Sequence, residues 1–355
     1  MSGFRIFDSA LESDVREWLE MWHESPAGEV FAHPEYVRLY SVESCRGLCA
    51  AWKSGSLRVL HPFVLRDVAG EPYWKGSAGT LFDVTSAYGY AGPFAWGDPG
   101  DRAAECFWRE FRAWAMEHQV VSEFVRLNPF EQGSYPGETW PTTAHIIRSL
   151  DGDETALWMD FDHKVRKNVM KATRCGVRIE IDETGKRLDD FLRVYEHTMD
   201  RRRALKVYYF PRQFFERMHQ QLAGQFAYFH ALVDGQVVST ELVLVSKRSV
   251  YSFLGGTLEN SFRERPNDLL KFAIMKWAKR QAKAHFVLGG GNRGEDGIYR
   301  YKRAFAPRGE TPYRLGGQIF SKELYDALMD GRQRFEQERG QAWVPTQGFF
   351  PAYRS

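Results

Sequence analysis

The chain has 355 residues, 26% charged and 43% hydrophobic. This composition excludes wholesale disorder, a peptide hormone and a zinc knuckle, and at roughly 100–200 residues per domain it gives about two domains. The formal net charge is only +2, yet residues 1–150 carry 13 Lys and Arg against 20 Asp and Glu, or −7, while residues 151–355 carry 35 against 26, or +9. An acidic half before a basic half points to an anionic partner for the second. Cys45, Cys49, Cys106 and Cys175 are too few and too scattered for a disulfide framework, which fits a reducing compartment. Cys45 and Cys49 are spaced like half a metal site, but no second Cys/His pair at zinc spacing follows. The N-terminus has acids where a signal peptide needs cations, and no window approaches the ~20 apolar residues of a membrane span. A cytoplasmic protein without an integral membrane segment or bound metal is expected.

In chain order, residues 9–22 place Leu11, Val15, Trp18, Leu19 and Trp22 at helical spacing behind a Ser9 or Ser13 cap. Two β-rich runs joined by Ser54-Gly55 follow, then a helix around residues 101–118 and a strand over VVSEFVRL. The same order of hairpin, helix and strand returns later. Residues 226–233 and 236–245 flank Asp234-Gly235, a strong hairpin signal because both turn positions tolerate positive φ. SVYSFLGG, the helix NDLLKFAIMKWAKRQAKA and the strand AHFVLGG complete the second set. The plan is α/β, with domains over 1–150 and 151–345 and a tail over 346–355.

Basic segments concentrate in the second half. Residues 163–178 form one helix, ended by Gly176, with six Lys and Arg and no acid; Lys164, Lys167, Lys171 and Arg174 share a face, with Arg166 nearer Val165 and Val169. Such a face repels itself and suits a phosphate or RNA backbone, the alternative being a solvated surface. Arg201, Arg202, Arg203 and Lys206 end a helix, where cations meet the negative end of its dipole, and Tyr208 follows as an aromatic partner for a nucleotide or sugar. Gly289–Gly294 fits G-x-G-x-x-G after a strand, but Glu295-Asp296-Gly297 reads as a break rather than as the helix a dinucleotide loop must open. It reads instead as a turn that lets backbone approach a ligand, or else as a plain surface turn. Beside it, Tyr299-Arg300-Tyr301-Lys302-Arg303 reads as a loop offering stacking surface and donors to an anion or oxyanion, or else as a solvated helix face. His197 reads as surface or packing. The motifs of triad hydrolases, zinc proteases and P-loop kinases are missing.

From Trp158 to Pro307 the chain resembles the Fem family, aminoacyl-tRNA-dependent transferases that build peptidoglycan cross-bridges. Four ordered segments carry the resemblance: KVRKNVMKATRCGVRIEI, YEHTMDRRRALKVYYFPRQFF, RPNDLLKFAIMKWAKRQ with its Pro-Asn-x-Leu-Leu start, and LGGGNRGEDGIYRYKRAFAP with its aromatic-Lys-x-x-Phe segment. Tyr88-Gly89-Tyr90-Ala91-Gly92-Pro93 resembles the family's Tyr-Gly-x-x-Gly-Pro turn beside the substrate cleft. The resemblance implies two tandem GNAT-like acyltransferase domains, each a mixed sheet flanked by helices. No heptad stretch corresponds to the helical arm of some members, so the arm-less form is implied.

It further implies amide formation between an amino acid carried as an ester on tRNA and an amine of a peptidoglycan precursor, or of a related peptide, nucleotide-linked or antibiotic-type acceptor. The aminoacyl-tRNA is a donor substrate, and no cofactor or metal is needed. Lys302 is the expected catalytic residue, polarising the carbonyl or anchoring the terminal adenosine phosphate; Tyr301 packs behind it, and Tyr90, Arg166, Lys167, Arg202, Tyr208, Asn267 and Arg303 are the expected substrate contacts. A monomer is expected. Phe262-Arg263-Glu264-Arg265-Pro266 stands where acyl-CoA enzymes carry a glycine-rich pyrophosphate loop. The alternatives are an acyl-CoA N-acyltransferase acting on an amino sugar or small amine, and a non-catalytic RNA-binding module.

Overall fold

A computed structural model describes residues 3–42, 44–74, 80–98, 103–130, 134–291 and 294–355. The first elements are β1 (Phe4–Asp8), α1 (Glu12–Glu24), α2 (Pro34–Arg38), β2 (Cys45–Ser54), β3 (Leu57–Asp67), β4 (Phe82–Thr85), β5 (Phe94–Trp96), α3 (Ala103–Glu117) and β6 (Val120–Arg126). Then come β7 (Glu138–Ser149), α4 (Glu154–Asp160), α5 (His163–Arg174), β8 (Arg178–Asp182), α6 (Leu188–Arg202), α7 (Arg212–Gln221), β9 (Phe226–Val233), β10 (Gln236–Val245) and β11 (Ser249–Thr257). α8 (Pro266–Arg280), β12 (His285–Gly289), α9 (Gly297–Arg303), β13 (Glu310–Ile319) and α10 (Lys322–Glu338) complete the order.

The chain forms two compact units. In the first, residues 1–26, 31–141 and 313–355, the strands run β1-β2-β3-β4-β6-β13, with β5 also paired to β3. All neighbours are antiparallel except β4 and β6. One core joins Leu48, Phe63 and Leu65 of the β2–β3 hairpin to Phe107 and Phe111 of α3. Buried Glu123 is held by His61 at 2.6 Å, the Tyr135 hydroxyl at 3.0 Å and the Gln318 amide at 2.6 Å, so its charge is met by donors from three segments.

The second unit, residues 27–30 and 142–312, repeats the plan as β8-β9-β10-β11-β12-β7, with β11 and β12 the parallel pair. Asp234 and Gly235 turn the β9–β10 hairpin at φ +48° and +78°, as two adjacent positive φ values require. The apolar stripe of α5, Val165, Val169 and Ala172, packs into one core with Leu270 and Ile274 of α8. Residues 27–30 reach this unit through Glu29, which accepts hydrogen bonds from the hydroxyls of Tyr251 at 2.6 Å and Ser246 at 2.8 Å, while burial pushes its carboxyl up to about 7.

The duplicated hairpin, helix and strand stand as expected, but several local readings differ. Each unit takes its sixth strand from the other half of the sequence, β13 in the first and β7 in the second, so residue 150 falls inside the second unit. Contiguous reading of a duplicated chain hides such an exchange. α1 is capped by neither Ser9 nor Ser13; it begins after Leu11, and Asp14 accepts the Asp8 amide at 3.0 Å. The end of the segment 346–355 packs into the core rather than trailing as a tail: Pro351 is buried, Tyr353 is fully buried against Tyr325 and Leu328, and its hydroxyl donates to the buried Asp83 at 3.1 Å. Arg354 also pairs with Asp83, which neutralises a charge the core could not otherwise hold.

Tyr353→Ala is therefore expected to destabilise the protein by about 3–5 kcal/mol, as other large aromatic truncations in cores do. Urea unfolding of the whole chain measures it, and an unchanged midpoint would show that the C-terminal segment is not core.

Candidate active site

The second unit has a local opening built into its sheet. β11 pairs with β12 only over Ser249–Tyr251 against His285–Val287, and beyond Tyr251 it keeps β10 but has no strand partner on the β12 side among the described residues. In the first unit the matching pair does not part. Thr85 pairs with Phe124, and the ladder continues through Ser86 N to Phe124 O at 3.0 Å, Ala91 N to Arg126 O at 2.7 Å and Asn128 N to Ala91 O at 3.0 Å. Both backbone and side chains can meet a ligand at the parted strands of the second unit.

A buried charge cluster lies there. Lys271 on α8 is sandwiched between α8 and the sheet, its ammonium donating to the Glu241 carboxylate of β10 and, at 3.0 Å, to the Ser252 hydroxyl of β11. The two charged side chains are 6% and 4% exposed. Removing one partner would strand the other in a low-dielectric site.

Lys302 is brought in by α9. Contrary to the sequence expectation, Glu295-Asp296-Gly297 does open a helix: the Asp296 side chain accepts the Tyr299 amide at 2.9 Å as an N-cap, so the acid read as a break is the start signal. Tyr301 and Lys302 are thus on a short helix and not on a loop. Asn292 and Arg293 of the glycine-rich turn lie outside the described residues. The Lys302 ammonium donates to the Gly290 carbonyl at 2.7 Å. Its pKa falls to about 8, first through desolvation and then through the charge of Lys271, with Glu241 and Asp296 opposing. His145 of β7 is nearby; burial, then Lys302, lowers its imidazole to about 3, so it stays neutral. A Cβ at position 290 would come within 2.8 Å of the His145 ring, which explains the glycine there.

The Tyr301 hydroxyl is shut away from solvent near Asn267, Asp268 and Glu241, and burial holds it un-ionised. Its ring packs edge-on against Phe305 at 5.2 Å. Asp268, in the first turn of α8, accepts a hydrogen bond from Asn168 of α5 at 3.0 Å, tying the basic helix to the mouth of the cluster; its pKa is raised by burial. α8 itself starts at Pro266, which has no amide hydrogen, after Arg265 at φ +59°.

The structure brings Lys302, Tyr301 and Asn267 into this cluster. Arg303 is exposed on the last turn of α9. Lys167 is exposed on α5 with Lys164, Lys171 and Arg174, and none of these forms an ion pair among the described residues. Arg166 differs: its guanidinium donates to the carbonyls of Met159, at 2.9 Å, and Phe161, fastening α5 to the chain before it. Arg202 and Tyr208 lie at the far end of α6. Glu241 faces α8, whereas the adjacent Thr240 pairs with Gly256, which abuts Thr198 of α6, so α6 covers the opposite face of the sheet. Tyr90 lies in the first unit, nearly buried and edge-on to Phe31 at 5.3 Å and Tyr313 at 5.6 Å. The sequence reading missed Glu241, Lys271, Ser252, Asp268, Asn168 and His145. Two of them left a signal, a lone Glu in the apolar run VVSTELVLV and a lone Lys on the buried side of LLKFAIM.

A family model described as an acetyltransferase (GNAT) domain matches residues 160–303. No curated protein matches the sequence. Among solved structures, FemX is 13% identical with a TM-score of 0.66, covering 88% of this chain and 98% of FemX. The C-terminal domain of a putative lysylphosphatidylglycerol synthetase from Agrobacterium fabrum is 14% identical, with a TM-score of 0.54 and coverage of 92% and 97%. A conserved protein of unknown function from Bacteroides thetaiotaomicron is 10% identical, with a TM-score of 0.55 and coverage of 90% and 100%. At these identities the likeness is one of fold. Among the described residues no helix is long and apolar enough to cross a membrane. Residues 160–303 thus match a GNAT acetyltransferase domain, and the chain has a Fem-like fold of two GNAT-like units.

Proposed function

We propose that this protein is an acyltransferase that moves an amino acid from its ester on the 3′ end of tRNA to the amine of a peptidoglycan precursor or a related peptide or small-molecule acceptor. The start of α8 is the observation that carries this reading. A CoA pyrophosphate needs bare amides at a helix N-terminus, but here Pro266 removes one and the Asp268 carboxyl occupies the first turn. The exposed cations of α5, Lys167 among them, suit a longer polyanion instead.

The ester is already activated, so the reaction requires alignment, proton removal and stabilisation of an oxyanion. The amine nitrogen attacks the ester carbonyl; the C–N bond forms, the C–O bond to the ribose breaks, and the ribose oxygen leaves with the proton the amine gives up. Lys302 uses one of its three N–H donors on Gly290, which fixes its direction and leaves two for the oxyanion or the terminal phosphate. Tyr301 and Asn267 line the approach. Glu241 lies close enough to favour the charged form of Lys302, so the Lys271–Glu241 pair sets the field in which Lys302 works.

A second reading, acyl-CoA-dependent N-acylation of an amino sugar or small amine, is favoured by the GNAT domain match over residues 160–303. Incubation with a pool of charged tRNAs, or with acyl-CoA, and candidate amines, followed by mass spectrometry, separates the two. A ribonuclease-sensitive aminoacyl amide supports the first; ribonuclease-resistant transfer from acyl-CoA with thiol release replaces it with the second.

Lys302→Ala is expected to lower transfer by about 10²–10³-fold, the scale of losing one oxyanion donor, and unchanged turnover would remove Lys302 from the mechanism. Because the donor must be charged, kcat/KM should fall as pH rises through about 8, roughly tenfold per pH unit on the descending limb. In Lys302→Arg that limb should move to higher pH; a limb that stays in place belongs to another group. Lys271→Met should cost about 3–5 kcal/mol in urea unfolding, and adding Glu241→Gln should restore most of it. Full additivity of the two changes would mean that the pair is not coupled.

A further inference from the structure

We propose that the end of α6 and the turn after it form a docking surface for an anionic phospholipid bilayer. Residues 201–210 carry four cations and no acid. Within this run Leu205 and Val207 are each 70% exposed, and Tyr209 is exposed beside them. Arg202, Arg203 and Lys206 are exposed and form no ion pair among the described residues. Phe262, also exposed, lies under the Arg201 guanidinium at 4.9 Å, which extends the surface toward the segment that leads into α8.

The turn is held rigidly in this presentation. Arg203 N donates to Asp200 O and Ala204 N to Met199 O, both at 3.0 Å, closing the helix end in a Schellman arrangement. Arg203 takes the left-handed position of that motif at φ +50°, where glycine is usual, so a cation stands there despite a backbone preference against it. The Tyr195 hydroxyl donates to Tyr208 O at 2.6 Å and the Tyr209 hydroxyl to Asp200 at 2.7 Å. Leu205 and Val207 therefore project outward from a braced loop.

Two aliphatic side chains on either side of a lysine gain little from an RNA backbone, which rewards cations and stacking rings. At the boundary of headgroups and acyl chains the same arrangement is satisfied throughout. Leu205 and Val207 leave water, Tyr209 sits at headgroup depth, and the cations meet anionic lipid. This inference does not depend on whether the acyl donor is tRNA or CoA.

The test is flotation of the full chain with unilamellar vesicles of phosphatidylcholine, with or without about one third phosphatidylglycerol, at low and high salt. Binding is expected only to the anionic vesicles and is expected to weaken with salt. The double variant Leu205→Glu/Val207→Glu should partition at least roughly tenfold less while keeping the wild-type Tm, and Arg203→Glu/Lys206→Glu should lose binding to a similar degree. Failure of the wild type to float with anionic vesicles, or flotation of the Leu205/Val207 variant as readily as wild type, overturns the proposal. So does loss of tRNA binding in that variant when the wild type does not bind vesicles, which would assign the patch to RNA.

Discussion

The parting of two parallel strands governs what this molecule can do. β11 and β12 stay together for three residue pairs and then separate, so among the described residues the second half of β11 keeps one of its two possible neighbours. Backbone that is not paired within a sheet must meet water or a ligand. α8 begins just beyond the free end of β11 and α9 just beyond β12, so the side chains these helices carry inward converge on the opening. The first unit has the same strand order, but its ladder continues past the equivalent point through Ser86, Ala91 and Asn128. One plan yields an open sheet and a closed one.

The opening is charged in an economical way. Two lysines share the field of one glutamate: Lys271 binds it directly, and Lys302 senses it while donating to a backbone carbonyl. Asp296 adds its field at Lys302, and Asp268 stands at the mouth, so the two lysines are held among acids from three different elements. His145 adds no charge, since burial keeps its ring neutral. The Tyr301 hydroxyl, kept protonated, remains a donor.

Much of this was legible from residues near one another in sequence. The Asp234-Gly235 hairpin, the basic helix stopped by Gly176 and the order of elements in each half all rest on local signals, and the structure has them. Lys302 also stood out, through its setting between aromatics. What could not be read depends on distance or on competition between signals. Glu241 and Lys271 are thirty residues apart and meet only because α8 folds back over β10. Arg166 looked like a phosphate ligand, but two carbonyls of the preceding turn had claimed its guanidinium. Asp296 looked like a break because glycines surround it, yet a short side chain that accepts an amide is how helices begin. Nothing local in the last ten residues shows where they pack; the buried Asp83, far off in sequence, is what draws in Tyr353 and Arg354.

The exchange of β7 and β13 has a consequence for the order in which the chain can fold during synthesis. The second unit needs nothing beyond residue 312, whereas the first, although it starts earlier in the chain, lacks β13 and the buried Tyr353 until residue 353 is made. The half translated first is thus the half finished last. Until then the edge of β6 that receives β13 has no partner, a template for mispairing that a nascent chain must keep covered.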